Sequence, residues 1–250
     1  AANALGLASV CRSYHSILCH EASHVQNDEC AGPEFFSGGA KVRPLPGRDG
    51  RLRPEMLEAA LAKRTDLHFS KNGALSLTQA TELGTVYSPD EVSALAEVAH
   101  ANNLALHMDG ARLSNAAASL HVPVRAFTVD AGVDLVSFGL TKNGAMAAES
   151  VIVLNGDRVQ GVDFLRKTSM QLASKMRFLS AQCQLERKKQ CPRQTQTDDH
   201  ESSHKPAHNQ MPLNILPFPR SDMFRKIRPS NRPLHQSVPQ VGSAACRVED

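Results

Sequence analysis

LALHMDGARLSNAAASL, residues 104–120, shows in miniature how this chain folds. Leu104–Met108 is a short apolar run, the mark of a strand buried on both faces. Asp109-Gly110 interrupts it, and Ala111–Leu120 continues with helix-like spacing. The alternation extends in both directions. Upstream, Ser88-Pro89-Asp90-Glu91 is a capping box with Pro at the first helical position, predicting a helix to about Ala101. Before it lie a buried strand over Ala74–Thr78, a helix over Pro54–Arg64, a short strand at Ile17-Leu18-Cys19 and a helix over Ala1–Ser16. Downstream, Asp134–Phe138 and Ser150–Leu154 read as strands and Phe164–Leu179 as a helix. Strands separated by helices of this length need crossover connections. The expected fold is α/β, a mainly parallel sheet with helices on both faces.

The 250 residues are 41% hydrophobic and 21% charged, ordinary for a folded chain with a sizeable core. No apolar run approaches the roughly 18 residues of a membrane helix, and the opening AANALGLASVC lacks the basic start and cleavage site of a signal peptide. It has no initiator Met, so the chain is expected to begin inside a longer one. The six cysteines are dispersed, which fits free thiols in the cytoplasm better than a disulfide framework. The net charge of +3 is unevenly spread. Residues 183–250 hold 11 Lys and Arg against 7 Asp and Glu, leaving 17 against 18 for residues 1–182. That last stretch also contains eight of the 14 prolines and sustains no hydrophobic period, so it is expected to be a largely disordered tail behind a domain spanning 1–182. With no Trp and 4% aromatic residues there is little to stack on bases, and neither nucleic acid nor membrane is an expected partner.

In an open parallel sheet, ligands sit beyond the carboxyl ends of the strands. After LALHM come Asp109 and Arg112, and after DLVSF comes Gly139-Leu140-Thr141-Lys142-Asn143-Gly144. Taken singly, Asp109 is a helix cap, Arg112 a solvated residue of a first turn and Lys142 a loop lysine. Jointly they supply what pyridoxal phosphate needs: an amine for its aldehyde, an acid to keep the pyridine nitrogen protonated, and a guanidinium for a carboxylate. Cys19, His20, His24 and Cys30 match no standard zinc spacing, and no metal is expected. His200, His204 and His208 are spaced for one helix face, but Pro206 falls among them, so they read as solvated.

The segments SVCRSYHSILCHEASHVQNDECAGPEFFSGGAK, LHMDGARLSNA, VDLVSFGLTKNG and QLASKMRFLSA resemble the low-specificity L-threonine aldolases. These are fold-type-I pyridoxal-phosphate enzymes of the aromatic β-eliminating lyase and threonine aldolase group. The resemblance runs over about residues 1–182 and implies a homo-oligomer, dimer or tetramer. By it, Lys142 is the Schiff-base lysine and Asp109 the pyridinium partner. Arg112 is the arginine beside the cofactor hydroxyl and the substrate carboxylate. His24 stacks on the ring, and Glu29 is the acid that follows it. Ala1, Ala2 and Asn3 match the end of a Gly-Thr-Ala-Ala-Asn phosphate grip, offering backbone N–H groups at a helix start.

The implied reaction is retro-aldol cleavage of a β-hydroxy-α-amino acid, threonine or allo-threonine, to glycine and acetaldehyde, as in threonine catabolism and glycine biosynthesis. The alternatives are β-elimination by a related lyase and a non-catalytic fragment. The chain departs from the pattern in four places. Leu140 replaces a usual glycine and is expected to crowd its turn. Glu82 stands where some of these aldolases have a second histidine. The Gly-Thr pair of the phosphate grip precedes Ala1, and residues 183–250 replace a small domain that carries another carboxylate-binding arginine. The chain as written is therefore expected to be a weak catalyst.

Overall fold

The computed structural model describes residues 1–64 and 66–190. Its elements run α1 (Ala2–Val10), β1 (His15–His20), α2 (His24–Asn27), α3 (Gly32–Phe36), β2 (Lys41–Leu45), α4 (Pro54–Leu61), β3 (Lys71–Thr78) and α5 (Pro89–Ala101). Then follow β4 (Ala105–Gly110), α6 (Leu113–Leu120), β5 (Leu135–Gly139), β6 (Glu149–Val153), α7 (Val162–Thr168) and α8 (Arg177–Gln190). One six-stranded sheet has the order β2-β1-β3-β4-β5-β6. The first five strands in that order are parallel, and β6 closes the far edge antiparallel to β5. The expected mainly parallel α/β architecture is present.

Alternation along the strands sorts side chains between two layers. Leu18, Leu75, Leu77, Leu106, Met108 and Val136 pack with Leu57, Val92, Leu95, Leu113 and Ala116 of α4, α5 and α6. Ile17, Cys19 and Ala74, from the opposite parity, pack with Leu7 and Cys11 at the α1 side. Asp109 shares the parity of His107 in β4 and therefore faces the α1 side. Gly6 lets that helix approach closely: a Cβ there would lie 3.3 Å from Leu135 Cδ1 and 3.6 Å from Ser137 Oγ. Asp134, almost fully buried before β5, accepts from Leu106 N–H at 2.8 Å and from Asn155 Nδ2 at 2.8 Å, tying two strands to the loop after β6.

The capping box forms as its sequence predicts. Ser88 Oγ accepts from Glu91 N–H at 3.2 Å, and Ser88 N–H donates to a Glu91 carboxylate oxygen at 2.7 Å. Other boundaries differ. The first helix ends at Val10, so β1 starts at His15, inside the stretch expected to be helical. β2 had no counterpart in the sequence reading, because Pro44 argues against a strand; as an edge strand, β2 tolerates the missing N–H. The helix expected over Phe164–Leu179 is two helices, separated by a stretch in which Met170 and Lys175 take left-handed backbone. α8 passes through Cys183, where the tail was expected to begin. The rest of that tail, 191–250, lies outside the described residues, as do its histidines.

Candidate active site

At the carboxyl end of the sheet, Asp109 and Gly110 finish β4, and Gly139 finishes β5. Asp109 is in register with Thr78 on one neighbour and Ser137 on the other. Its carboxylate is almost fully buried and is held at both oxygens. Oδ1 accepts from Ala111 N–H at 3.0 Å, and Oδ2 accepts from Asn3 Nδ2 at 2.8 Å. The same Asn3 Nδ2 donates to Glu29 Oε1 at 2.7 Å. Glu29 Oε1 also meets His24 Nδ1 at 2.9 Å, across a pair in which His24 is about one-third exposed and Glu29 12% exposed. A carboxylate only accepts, so His24 Nδ1 carries the proton in this contact, and in the neutral ring Nε2 is the nitrogen with the lone pair.

Ligating atoms of His24, Glu29 and Asp109 lie within 4.8 Å of one another. The amide of Asn3 bridges the two acids. Asn3 Oδ1 is buried with no hydrogen-bond partner in the structure, as is Asn143 Oδ1. Each unpaired acceptor fits a bound molecule that brings a donor, because each costs about 1–3 kcal/mol if left unpaired.

Lys142 lies exposed in the short 3₁₀ turn Thr141–Asn143, three residues past β5. Asn143 Nδ2 fastens that turn to the carbonyls of Gly139 and Ala111, joining the ends of β5 and β4. Leu140 does not crowd the turn. Its backbone is ordinary right-handed (φ −79°, ψ −25°), its side chain is buried, and the residue that needs positive φ is Gly144 at 99°. Glu149, opposite Gly139 in β6, interacts with Lys142 and Asp109. Burial pushes its carboxyl above the usual range, Asp109 adds to this, and Lys142 pulls it back.

Arg112, directly before α6, faces Glu82. One nitrogen, Nη1, donates to both carboxylate oxygens at 3.3 and 3.4 Å. Both residues line an open cavity of about 340 Å³ with Thr81, Gly84, Asn115 and Ser119. Ala1 caps α1, whose first residue is Ala2. Asn3 is part of the site through its side chain, where the sequence suggested only its backbone. Glu149 and Asn143 had no sequence signal beyond their nearness to Lys142. The four residues of the rejected zinc set do not converge: Cys19 is fully buried with its thiol pushed up to about 11 by burial, Cys30 is exposed, and His20 bonds to Gly47 O and Ala22 N–H.

Asp109 thus sits at one strand end and Lys142 just past the adjacent one, and the His24–Glu29 pair is joined to Asp109 through Asn3. The match to known proteins makes this specific. Residues 1–225 fit the family model described as beta-eliminating lyase, and the chain belongs to that family. It is 46% identical over 181 residues to a low specificity L-threonine aldolase of a Pseudomonas species, and 47% identical to that of Pseudomonas aeruginosa. Each alignment covers 72% of this chain and 52% of the relative, so the chain spans about half the length of these curated relatives. A threonine aldolase structure from Leishmania major superposes with a TM-score of 0.68 at 26% identity, over 73% of this chain and 53% of that one.

Proposed function

We propose that this chain carries the catalytic centre of a pyridoxal-phosphate lyase that cleaves threonine or allo-threonine to glycine and acetaldehyde. The observation that carries the reading is the Asp109 carboxylate, buried at the end of β4 and oriented by Asn3 and Ala111, beside the His24–Glu29 pair. The residues fit the cofactor, because Glu149 interacts with both Asp109 and Lys142, and Asn3, whose Oδ1 is a buried unpaired acceptor, bonds to Asp109. When bound, pyridoxal phosphate supplies an electron-accepting ring. Lys142 would hold it through its amine, and Asp109 would keep a proton on its ring nitrogen. Ala1, Ala2 and Asn3 offer backbone donors at the start of α1, and Arg112 would hold the substrate carboxylate. His24 Nε2, with Nδ1 committed to Glu29, would accept the β-hydroxyl proton as the carbon–carbon bond breaks.

The aldolase relatives favour this over β-elimination, and acetaldehyde rather than ammonia and a keto acid is the expected product. The functional domain is 1–182, the location cytoplasmic, and the enzyme a homo-oligomer acting in threonine catabolism and glycine biosynthesis. The test is to treat the chain with pyridoxal phosphate and borohydride and map the adduct by peptide mass spectrometry. Labelling at Lys142 is expected; labelling at Lys167 or Lys175 instead would overturn the assignment.

A further inference from the structure

We propose that Glu82 is an internal competitor for Arg112, a specificity-determining carboxylate that lowers the site's affinity for the substrate carboxylate. The proposal rests on the reading of Arg112 as the carboxylate-holding residue. The pair is loosely built: both oxygens share one nitrogen at 3.3 and 3.4 Å, instead of the parallel two-nitrogen fork that makes Arg–carboxylate contacts strong. Arg112 is about one-third exposed and Glu82 less, at 22%, so the contact is accessible from the cavity that both line. Among the described residues no other hydrogen bond occupies the guanidinium.

An arriving carboxylate therefore meets a guanidinium whose charge is already half answered. It must displace Glu82 or accept a second anion beside it. Either way affinity falls, and it falls most for a ligand with two carboxylates. Asn115 and Ser119, on the same cavity wall, offer polar groups toward which a displaced Glu82 can turn. The site is thereby biased toward amino acids with a single carboxylate and a neutral side chain.

A purely structural latch between the 81–86 loop and α6 would behave differently. Breaking a latch loosens the site, whereas removing a competitor tightens binding. Two measurements separate them. In the cofactor-free 250-residue chain, phenylglyoxal labelling of Arg112, followed by peptide mass spectrometry, should speed up roughly one-and-a-half- to fivefold in Glu82→Gln and Glu82→Ala, the range expected for losing a partly exposed ion pair. Labelling of Arg125 should not change. In the chain loaded with pyridoxal phosphate, calorimetric titration with glycine should show tighter binding in Glu82→Gln by a similar factor, and a larger gain for aspartate. Unchanged labelling and unchanged or weaker glycine binding would overturn the proposal. Arg112→Gln is the control for the underlying reading. If it leaves glycine affinity intact, Arg112 does not hold the carboxylate and that reading fails. If it abolishes binding while Glu82→Gln changes nothing, only the role of Glu82 falls.

Discussion

At the residue scale the site depends on what orients each reactive group. Asp109 accepts hydrogen bonds at both oxygens, so Asp109→Asn puts an amide against the Asn3 amide and the Ala111 N–H, where one donor–donor clash is unavoidable. It also removes the group that would protonate the ring. Turnover in that variant should fall by orders of magnitude, while the Lys142 adduct still forms. Near-normal acetaldehyde release would reduce Asp109 to a cap for the turn after β4. Asn3 belongs to the same unit, and Asn3→Ala should weaken cofactor binding measurably, because it removes one hydrogen bond from each of two acids, buried Asp109 and half-buried Glu29. Asp109, Arg112 and Lys142 were singled out in the sequence by their places after strands, and His24 and Glu29 by the resemblance alone. Their partners were not. Asn3 reaches Asp109 across 106 positions and Glu29 across 26, and no local pattern announces a contact made by tertiary packing. The pairing of Arg112 with Glu82 escaped for the same reason.

At the element scale, β3, β4 and β5 are stitched together by a polar chain. Ser76 Oγ meets His107 Nδ1 at 2.8 Å, and His107 Nε2 meets Ser137 Oγ at 2.8 Å, all on the α1 face. Burial pushes the His107 imidazole down to about 4 from an ordinary value near 6.5, with nearby Asp109 opposing the shift. The ring is therefore neutral in the folded chain. Its folded value lies below its unfolded one, so its contribution to stability is whole above about pH 6.5 and shrinks as pH falls toward 4. The loss is at most a few kcal/mol. Urea titrations between pH 7.5 and 4.5 should show a steeper decline for the wild type than for His107→Asn, and parallel curves would refute the neutral-histidine account. At the start of α5, Ser88→Ala removes one half of the capping box and should cost about 1 kcal/mol, read as a lower urea midpoint with unchanged slope. That helix start was readable because capping is a local code. β2 was not, because edge position is a property of the sheet rather than of KVRPL, and the break between α7 and α8 rests on left-handed residues that are not glycine.

At the scale of the whole molecule, the alternation of strands and helices sufficed to predict a parallel sheet, since crossovers leave few other solutions. The strand order and the reversal at β6 came only with the structure. That reversal places Glu149 opposite Gly139, next to the Lys142 turn, so the last strand contributes to the site as well as closing the edge. Gly6 shows how closely the layers are set. Gly6→Leu should drive the α1 layer away from Leu135 and Ser137, lowering stability and separating Asn3 from Asp109. Loss of stability without loss of cofactor affinity would show that the helix can shift while its first turn stays anchored.

The contact between Asn3 and Asp109 also has a kinetic meaning. It closes a loop of 106 residues that contains β1, β2, β3 and nearly all of β4. Closing so long a loop is entropically costly, and nothing repays that cost until the intervening strands have paired. The cleft thus cannot nucleate assembly and comes into being only near its end. Added during refolding, the cofactor should leave the rate of pairing among β1–β4 unchanged and report by its colour a step that follows that pairing.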